Sequence, residues 1–377
     1  MMIKTVLKKL LLPLTSLNRV IPKDKRLILI YSNLGFRDNA KAMYDYLIEM
    51  GYNKKYKIVC SCCDSRFWKK SAPENVKFIG TKRALWKFLR CSFMFYTFGK
   101  FPVKPSPKQK VVNLWHGMPI KTVGALEKGV RYDGKCYFDY TIATSPFFSE
   151  VMQRCFKVSG DKVLLTGQPK CDKLFMRDVR AKKLILWLPT YRSSHKLGSV
   201  NAEIDNRTGI PLIDNEDQLI ELDGLLGDLE HKLLIKPHPM QDVTRWTRGL
   251  ANIMLTSQRG LDRQGMDIYD LMKRSRALIT DYSSVYFDYM LLDRPIGFTL
   301  GDMEKYGSER GFVVEDPEKL MPGSRLESFD DLKKFITSVS AGEDTFRKER
   351  RSVNALVNSD QSNCSAKRIL DIIGVNL

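Results

Sequence analysis

A strand followed by two serines, in the carboxyl half of the chain, has the residue types of an anion-binding turn. The segment Ala277-Leu-Ile-Thr280 is typical of a buried strand, and Asp281 and Ser283 after it are common residue types at helix amino ends. The free N–H groups of a helix start, the positive end of its dipole and the hydroxyls of Ser283 and Ser284 together favour an anion. A plain helix cap would account for one serine, and we interpret the adjacent pair as a site for a phosphate or diphosphate.

A histidine between two prolines follows another predicted strand. In Leu233-Leu-Ile-Lys-Pro-His-Pro239 the prolines fix the backbone on both sides of His238, which holds the imidazole at the carboxyl end of the strand. A histidine placed there can stabilise the negative charge on a leaving phosphate. The alternative is a turn histidine without a chemical role.

A second candidate histidine lies in the amino-terminal half of the chain. The strand-like segment Val111-Val-Asn-Leu114 runs into Trp115, His116 and Gly117, and the glycine permits close approach of another molecule. We interpret His116 as a candidate general base and Lys121 as a group that could contact a phosphate. A structural histidine at a strand end is the alternative.

These residues follow strands that alternate with helices along the chain. The predicted strands are residues 27–31, 56–60, 76–79, 93–97, 110–114, 140–144, 162–165, 184–188, 232–236 and 277–280. Strands separated by helices indicate parallel βαβ units, in which ligands bind at the carboxyl ends of the strands. Because 377 residues exceed the size of a usual single core, we predict two α/β domains.

Charged stretches and changes in pattern set the predicted domain boundaries. The segments are a basic amphipathic stretch at 1–26, an amino-terminal domain at 27–176, a linker at 177–183, a carboxyl-terminal domain at 184–360 and a helix or tail at 361–377.

The charge balance predicts an acidic partner, since 62 Lys and Arg against 43 Asp and Glu give a net charge of +19. Residues 1–26 place lysines between apolar side chains at helical spacing, which is typical of a helix lying in a membrane interface. Pro13 interrupts the apolar run, which is shorter than the ~20 residues of a membrane span. A leading helix that packs on the body of the protein is the alternative.

Residues 81–90 form a second basic and aromatic segment. Their alternation of Trp and Phe with Lys and Arg suits an anionic membrane surface, or a core-facing helix with a solvated basic face. Zinc-ligand spacing and aromatic motifs of RNA-binding domains are both missing from the sequence, so we predict no nucleic-acid partner.

The sequence offers no cluster of metal ligands. Its eight cysteines are scattered, and Asp281 and Asp288 lie on either side of a predicted helix start, so they do not form a carboxylate cage for Mg²⁺. We predict no tightly bound cofactor and no metal site in the protein, with Mg²⁺ entering only through the substrate.

Together these segments resemble a known family. Over roughly residues 27 to 330 their order is similar to that in the CDP-glycerol glycerophosphotransferases of teichoic-acid and related polymer synthesis. The matching motifs are Asp38-Asn-Ala-Lys41, Trp115-His-Gly-Met-Pro-Ile-Lys-Thr122, Gly167-Gln-Pro-Lys-Cys-Asp172, Leu188-Pro-Thr-Tyr-Arg192, Lys236-Pro-His-Pro239, Thr280-Asp-Tyr-Ser-Ser284 and Arg310-Gly-Phe312 with Pro322-Gly323.

The resemblance implies a fold and an activity. The fold is the GT-B architecture, in which two Rossmann-like domains with parallel sheets face a central cleft, the first binding the acceptor and the second the CDP-linked donor. The activity is transfer of a glycerol-phosphate or polyol-phosphate unit from CDP-glycerol, or a related CDP-polyol, to a hydroxyl of a polyprenyl-diphosphate-linked saccharide, with release of CMP. Such enzymes build teichoic-acid or capsule-type polymers as peripheral proteins on the cytoplasmic side of the cell membrane.

The resemblance also implies roles for individual residues. His116 would be the base on the acceptor hydroxyl and His238 the second catalytic residue. The donor diphosphate would be held by Ser283, Ser284, Asp281, Lys236 and Arg310, and the acceptor or its phosphate by Gly117, Lys121, Thr122 and Arg192. Met118 stands where the family commonly has Thr, and Lys170-Cys171 where it commonly has Arg-Asn, so the acceptor and the polyol stay open.

Two other classes of protein stay open as well. A nucleotide-sugar glycosyltransferase of the same architecture would also need a phosphate site and a base, but it would transfer a sugar at carbon. A non-catalytic membrane adaptor would explain the basic amphipathic segments alone.

Overall fold

The computed structural model describes residues 14–98, 101, 103–129, 132, 137–175, 181–189, 208, 210–237, 249–301, 303–359 and 362–377. The first 13 residues, Arg192 and His238 therefore lie outside the described residues. The chain divides into two compact units. Unit 1 comprises the described residues of Met1–Met118, Arg131–Lys173 and Asp360–Leu377, and unit 2 those of Pro119–Val130 and Leu174–Ser359.

The described residues alternate strands and helices, as the sequence pattern predicts. The strands are β1 (Asp24–Ser32), β2 (Lys57–Cys62), β3 (Val76–Ile79), β4 (Cys91–Tyr96), β5 (Lys110–Asn113), β6 (Tyr140–Ala143), β7 (Val163–Leu165), β8 (Leu184–Leu188), β9 (Lys232–Ile235), β10 (Ile253–Leu255), β11 (Ala277–Thr280), β12 (Ile296–Thr299) and β13 (Ser324–Leu326). The α-helices are α1 (Asp38–Glu49), α2 (Ser65–Trp68), α3 (Ala84–Phe88), α4 (Pro146–Phe156), α5 (Glu216–Asp228), α6 (Gln258–Arg263), α7 (Ile268–Arg274), α8 (Val285–Tyr289), α9 (Met303–Glu309), α10 (Phe329–Ala341), α11 (Arg347–Val357) and α12 (Ser365–Ile373), and residues 14–20 are also helical.

Unit 1 is built on a seven-stranded sheet in the order β3-β2-β1-β4-β5-β6-β7, with every pairing parallel. Its central strands carry almost continuous apolar side chains because helices cover both faces of a parallel sheet. The carboxyl-terminal helix α12 belongs to this unit, where Ile369, Leu370 and Ile373 join the core under β1 and β2. The strand order reverses between β1 and β4.

Unit 2 repeats this architecture with six parallel strands in the order β10-β9-β8-β11-β12-β13. Its core contains Ile185, Trp187 and Ile279 from the central strands, packed with leucines of α5 and with Phe335 of α10. The strand order reverses between β8 and β11, which in such sheets is where ligands bind. Both sheets therefore have the doubly wound Rossmann-like topology, and the predicted fold class of two parallel α/β domains is confirmed.

Every strand predicted from the sequence is present, with its ends shifted by a few residues. The sequence boundaries assign residues 119–130 to the amino-terminal domain and 361–377 to a separate tail, whereas in the structure residues 119–129 group with unit 2 and residues 362–377 with unit 1. The short strands β10, β12 and β13 were not predicted. In the part of the chain that the structure describes, no helix has the length and apolar character needed to cross a membrane.

Candidate active site

His116 lies in a tight turn at the carboxyl edge of the sheet of unit 1. The strand β5 ends at Asn113, whose side-chain oxygen accepts a hydrogen bond of 3.1 Å from the Trp115 N–H. Trp115 has a φ of +49° and Gly117 a φ of +147°. A side chain with a Cβ is strained at the first value and rarely adopts the second, which explains the glycine. The turn leaves His116 exposed, whereas Trp115 before it is half-buried and Gly117 after it is buried.

Aromatic rings flank the His116 imidazole. Phe98, which follows β4, stacks on it with a centroid distance of 5.2 Å and an interplanar angle of 30°, and the Trp115 ring lies 4.3 Å away. The guanidinium of Arg37 lies 5.7 Å from the centroid of the same Phe98 ring. These contacts restrict the rotation of the imidazole.

The surroundings of His116 keep its side chain neutral. Burial among these rings lowers its pKa to about 4, the positive charge of Lys170 acts in the same direction, and a hydrogen bond with the Thr97 backbone acts against them. The residue nevertheless keeps a solvent-accessible surface, and water on that open side weakens the effect of burial. The pKa of His116 therefore lies below its ordinary value of 6.5, and at neutral pH the imidazole can accept a proton.

Three residues that were not among the predicted site residues support this turn: Asp38, Asn39 and Lys170. Asp38 and Asn39 begin α1, and Lys170 lies in a 3-10 helix, Pro169–Phe175, that follows β7 in the same unit. The Lys170 ammonium donates a hydrogen bond of 2.8 Å to the His116 carbonyl. All three belong to motifs that carry the family resemblance, but nothing in the spacing of those motifs indicates that they meet.

Asp172, in the same motif as Lys170, stabilises the start of the carboxyl-terminal helix. Its carboxylate accepts hydrogen bonds of 3.1 Å from the N–H groups of Ser365 and Ala366, at the start of α12. An acidic side chain at a helix amino end satisfies N–H groups that the helix itself cannot. Asp172 therefore attaches the carboxyl-terminal helix to unit 1.

The candidate donor residues of unit 2 lie at the carboxyl edge of its sheet. Lys236 follows β9, and Asp281, Ser283 and Ser284 follow β11. The strand β8 separates these two strands, and the Thr280 hydroxyl donates a hydrogen bond of 2.9 Å to the Leu188 carbonyl at the end of β8. The residues thus occupy the side of the sheet, and the point of strand reversal, where Rossmann-like domains bind nucleotides.

The turn after β11 lacks the side-chain cap that the residue types predicted. Ser284 is the residue before the helix, its side chain makes no capping hydrogen bond, and α8 is only five residues long. A dipole of so short a helix contributes little, so an anion here would depend on hydroxyls and backbone N–H groups. Ser283 and Ser284 are half-buried.

The two aspartates of this region are buried. Asp281 is fully buried, and Asp288 accepts a hydrogen bond of 2.6 Å from the Tyr269 hydroxyl. A carboxylate repels a diphosphate. Asp281 is therefore better suited to accept hydrogen bonds from neighbouring N–H and O–H groups of the protein than to contact the ligand. Within the described ranges, no group of three or more His, Cys, Asp or Glu side chains is arranged to hold a metal ion.

Lys121, Thr122 and Arg310 come together in unit 2. Residues 120–122 pair antiparallel with 311–313: the Val313 N–H donates to the Ile120 carbonyl at 2.9 Å and the Thr122 N–H to the Gly311 carbonyl at 3.1 Å. The Thr122 hydroxyl donates to the Arg310 carbonyl at 2.5 Å. Lys121 and Thr122, predicted to contact the acceptor, are thus neighbours of a residue predicted to contact the donor.

Stacked aromatic rings connect the segment around Arg310 to the turn that carries Ser283 and Ser284. Tyr282, directly before Ser283, stacks on Tyr306 with a centroid distance of 4.6 Å, and Phe312 contacts both rings. The Lys121 ammonium lies 5.0 Å from the Tyr306 centroid. The Arg310 Nε is buried and makes no hydrogen bond within the described part of the chain, although a buried guanidinium group needs an acceptor.

Comparison with known proteins identifies the family of this chain. The family model described as CDP-glycerol:poly(glycerophosphate) glycerophosphotransferase matches residues 14–374. A teichoic acid glycerol-phosphate transferase of Staphylococcus aureus is 29% identical over 372 residues, covering 87% of this chain and 88% of that protein. A teichoic acid poly(glycerol phosphate) polymerase of Bacillus spizizenii is 24% identical and covers 83% of each chain.

Solved structures show the same fold. The wall teichoic acid polymerase TagF superimposes with a TM-score of 0.71 at 20% sequence identity, covering 98% of this chain and 96% of that chain. At that identity the likeness concerns the fold, and it agrees with the GT-B-like pair of parallel α/β domains. The family model spans nearly the whole chain, so the resemblance seen in the motifs is confirmed: this enzyme belongs to the CDP-glycerol:poly(glycerophosphate) glycerophosphotransferase family.

Proposed function

We propose that this enzyme transfers glycerol phosphate from CDP-glycerol to a hydroxyl of a polyprenyl-diphosphate-linked saccharide and releases CMP. The reaction would take place on the cytoplasmic side of the cell membrane, in the synthesis of a teichoic-acid or capsule-type polymer. Family membership and the names of the similar transferases support the donor and the type of reaction. A related CDP-polyol is the alternative donor.

The observation that carries the proposal is the His116 imidazole, which the Phe98 and Trp115 rings orient at the carboxyl edge of the sheet of unit 1. A hydroxyl is a poor nucleophile at neutral pH, so a base must remove its proton as the oxygen attacks. In the proposed step the acceptor oxygen forms a bond to the β-phosphorus of the donor, and the bond from that phosphorus to the CMP oxygen breaks. The proton moves to His116, and CMP leaves with the electron pair of the broken bond.

The residues of unit 2 would neutralise the charge that builds up on the leaving phosphate. Lys236 and Arg310 supply positive charge, and Ser283 and Ser284 supply hydroxyl donors at the carboxyl edge of the sheet. We propose that His238 also stabilises this charge. We propose that no metal binds tightly to the protein and that Mg²⁺ enters only with the donor diphosphate.

Arg310 gives a test of the donor site. We expect Arg310→Ala to raise KM for CDP-glycerol about tenfold, because a charge-assisted hydrogen bond to phosphate contributes about 1.5 to 3 kcal/mol. Arg310→Lys should recover part of this loss. Arg325→Ala is the matched control, since Arg325 pairs with Glu318 and Glu327 in the same unit. Steady-state CMP release measures all three variants, and an unchanged KM in Arg310→Ala would remove Arg310 from the donor site.

Two exposed segments of unit 1 support the membrane part of the proposal. The helical residues 14–20 expose Leu17 and Val20, and α3 exposes 68% of the Trp86 surface. The Lys23 ammonium connects the two segments by donating hydrogen bonds of 2.6 Å to the carbonyls of Asn18 and Leu89. The exposed cations around them are Arg19, Lys82, Arg83 and Arg90. Apolar side chains among cations are the composition of a surface that binds anionic lipid.

The membrane surface is tested by replacing Trp86. We expect Trp86→Ala to weaken binding to vesicles of equal phosphatidylglycerol and phosphatidylcholine by about tenfold, because inserting a large aromatic side chain contributes roughly 1.5 to 3 kcal/mol. Phe67→Ala is the control, since Phe67 is also exposed in unit 1 but lies in α2. Cosedimentation measures the binding. Equal losses in both variants, or none, would contradict the assignment.

A donor screen tests the proposed reaction itself. The enzyme is incubated with a lipid-linked saccharide acceptor and, in turn, CDP-glycerol, CDP-ribitol and UDP-sugars, and release of CMP or UDP is measured. We expect turnover with a CDP-alcohol and none with a UDP-sugar. Turnover with UDP-sugars alone would support a glycosyltransferase instead.

A further inference from the structure

We infer that Lys170 is a positioning residue for His116: its ammonium group, together with Asn39, holds the backbone of the turn that carries the imidazole. The inference rests on the proposed function, in which His116 is the base. It adds a residue that acts through the position of the base.

Lys170 is an unusual lysine because it is only 4% exposed. A buried ammonium group is costly unless it is paired and hydrogen-bonded. Its Nζ donates a hydrogen bond of 2.8 Å to the His116 carbonyl and lies 3.6 Å from the Asp38 carboxylate. The side chain thus spans the distance from the start of α1 to the histidine turn.

Asn39 holds the preceding residues of the same turn. Its side-chain amide donates hydrogen bonds of 2.9 Å to the Leu114 carbonyl and 3.1 Å to the Trp115 carbonyl. Its side-chain oxygen accepts a hydrogen bond of 3.1 Å from the Lys170 N–H. Two side chains therefore fix three consecutive carbonyls, at residues 114, 115 and 116.

The turn needs such support because its backbone is strained. Trp115, in the turn, has a φ of +49°, and Asp38, which lies at the start of α1 and pairs with Lys170, has a φ of +61°. Both values are unfavourable for a residue with a Cβ. Strained backbone persists where surrounding contacts determine it, and here they lie next to the candidate base. Removing the Lys170 contact should allow the turn to relax and the imidazole to move.

Lys170 also contributes to the charge around His116. Among the described residues, the charged groups around the turn include Lys170, Asp38, which pairs with Lys170, and Arg37, which lies over the Phe98 ring. The Lys170 charge opposes protonation of His116 and acts together with burial to lower its pKa. We therefore expect loss of this charge to raise the pKa of His116.

The test compares Lys170→Met, which has similar length and no charge, with Lys170→Arg, which keeps the charge. For Lys170→Met we expect kcat for CMP release to fall about tenfold with KM for CDP-glycerol within about twofold, since small displacements of a catalytic group cost this much or more. The acid limb of the pH–rate profile should move to higher pH. Lys170→Arg should keep the wild-type profile and recover most of kcat.

A second readout does not depend on turnover. NMR titration of the His116 ring, assigned by its loss in His116→Ala, should show a higher pKa in Lys170→Met and Lys170→Gln than in the wild type. Lys170→Gln also covers the case in which Lys170→Met does not fold. A wild-type kcat together with an unmoved His116 pKa in the charge-free variants would overturn the inference.

The outcome is separable from failure of the proposed function. If the wild type releases no CMP from CDP-glycerol, the proposed function fails and the inference fails with it. If His116→Ala is fully active, another group is the base, and the inference fails while the proposed transfer stands. If both behave as proposed while Lys170→Met matches the wild type, only the role of Lys170 is overturned.

Discussion

Replacement of His116 by alanine is expected to reduce kcat for CMP release by about 10²-fold or more. The neutral imidazole is the candidate base in the described part of the chain, and general base catalysis contributes rate factors of this size. Alanine also removes the group whose protonation should set the acid limb of the pH–rate profile. Because the pKa of His116 is lowered, that limb should lie below pH 6.5 in the wild type, with activity rising as pH increases through it.

The control for this experiment is a histidine with a structural task. His231 is 1% exposed, and its Nδ1 is hydrogen-bonded at 2.7 Å to the Leu229 carbonyl. In His231→Asn the side-chain amide can take the place of Nδ1, so kcat should stay within about twofold of the wild type. A loss below about threefold in His116→Ala would mean that another group removes the proton.

Gly323→Ala is expected to destabilise the fold strongly. A Cβ at this position would lie 2.2 Å from the Ile296 carbonyl oxygen and 2.8 Å from the Phe298 ring. Ile296 and Phe298 belong to β12, which pairs with β13 directly after Gly323, so the strand spacing itself must change. We expect the free energy of unfolding to fall by about 3 kcal/mol, at the upper end of the usual cost of overpacking.

Gly224→Ala is the matched control. Gly224 lies inside α5, and a Cβ there would meet no atom within 4 Å. Alanine in a helix interior is more stable than glycine by roughly 0.5 to 1 kcal/mol, so this variant should gain stability. Urea denaturation measures both variants. Equal stability of Gly323→Ala and the wild type would show that the strands can separate without cost.

Most of the fold could be predicted from the sequence because the central strands of a parallel sheet are buried on both faces. Runs such as Leu184–Leu188 are therefore almost wholly apolar and easy to recognise. The strands β10, β12 and β13 are short, and Gly297 in β12 and Arg325 in β13 interrupt the apolar pattern. The sequence does not indicate that residues 119–129 belong to unit 2, because their pairing with residues 311–313 depends on tertiary contacts.

The candidate site was only partly accessible to sequence reasoning. A histidine and a glycine directly after a strand indicated the His116 turn, because that position has a defined place in a parallel sheet. The support from Lys170 was not visible, since it and Asn39 are 131 residues apart in sequence. The side-chain cap expected from Asp281 or Ser283 is not formed: the residue before the helix is Ser284, whose side chain makes no capping hydrogen bond, and Asp281 is buried before it.

The central claim is that a phosphoryl group, and not a carbon centre, is transferred. Its most direct test uses CDP-glycerol labelled with ³²P at the β-phosphate and with ¹⁴C in the glycerol, together with a lipid-linked saccharide acceptor. The proposed reaction predicts that both labels appear in the lipid product in the ratio of the donor, with unlabelled CMP released. Transfer of ¹⁴C alone, with ³²P retained in released CDP, would contradict it.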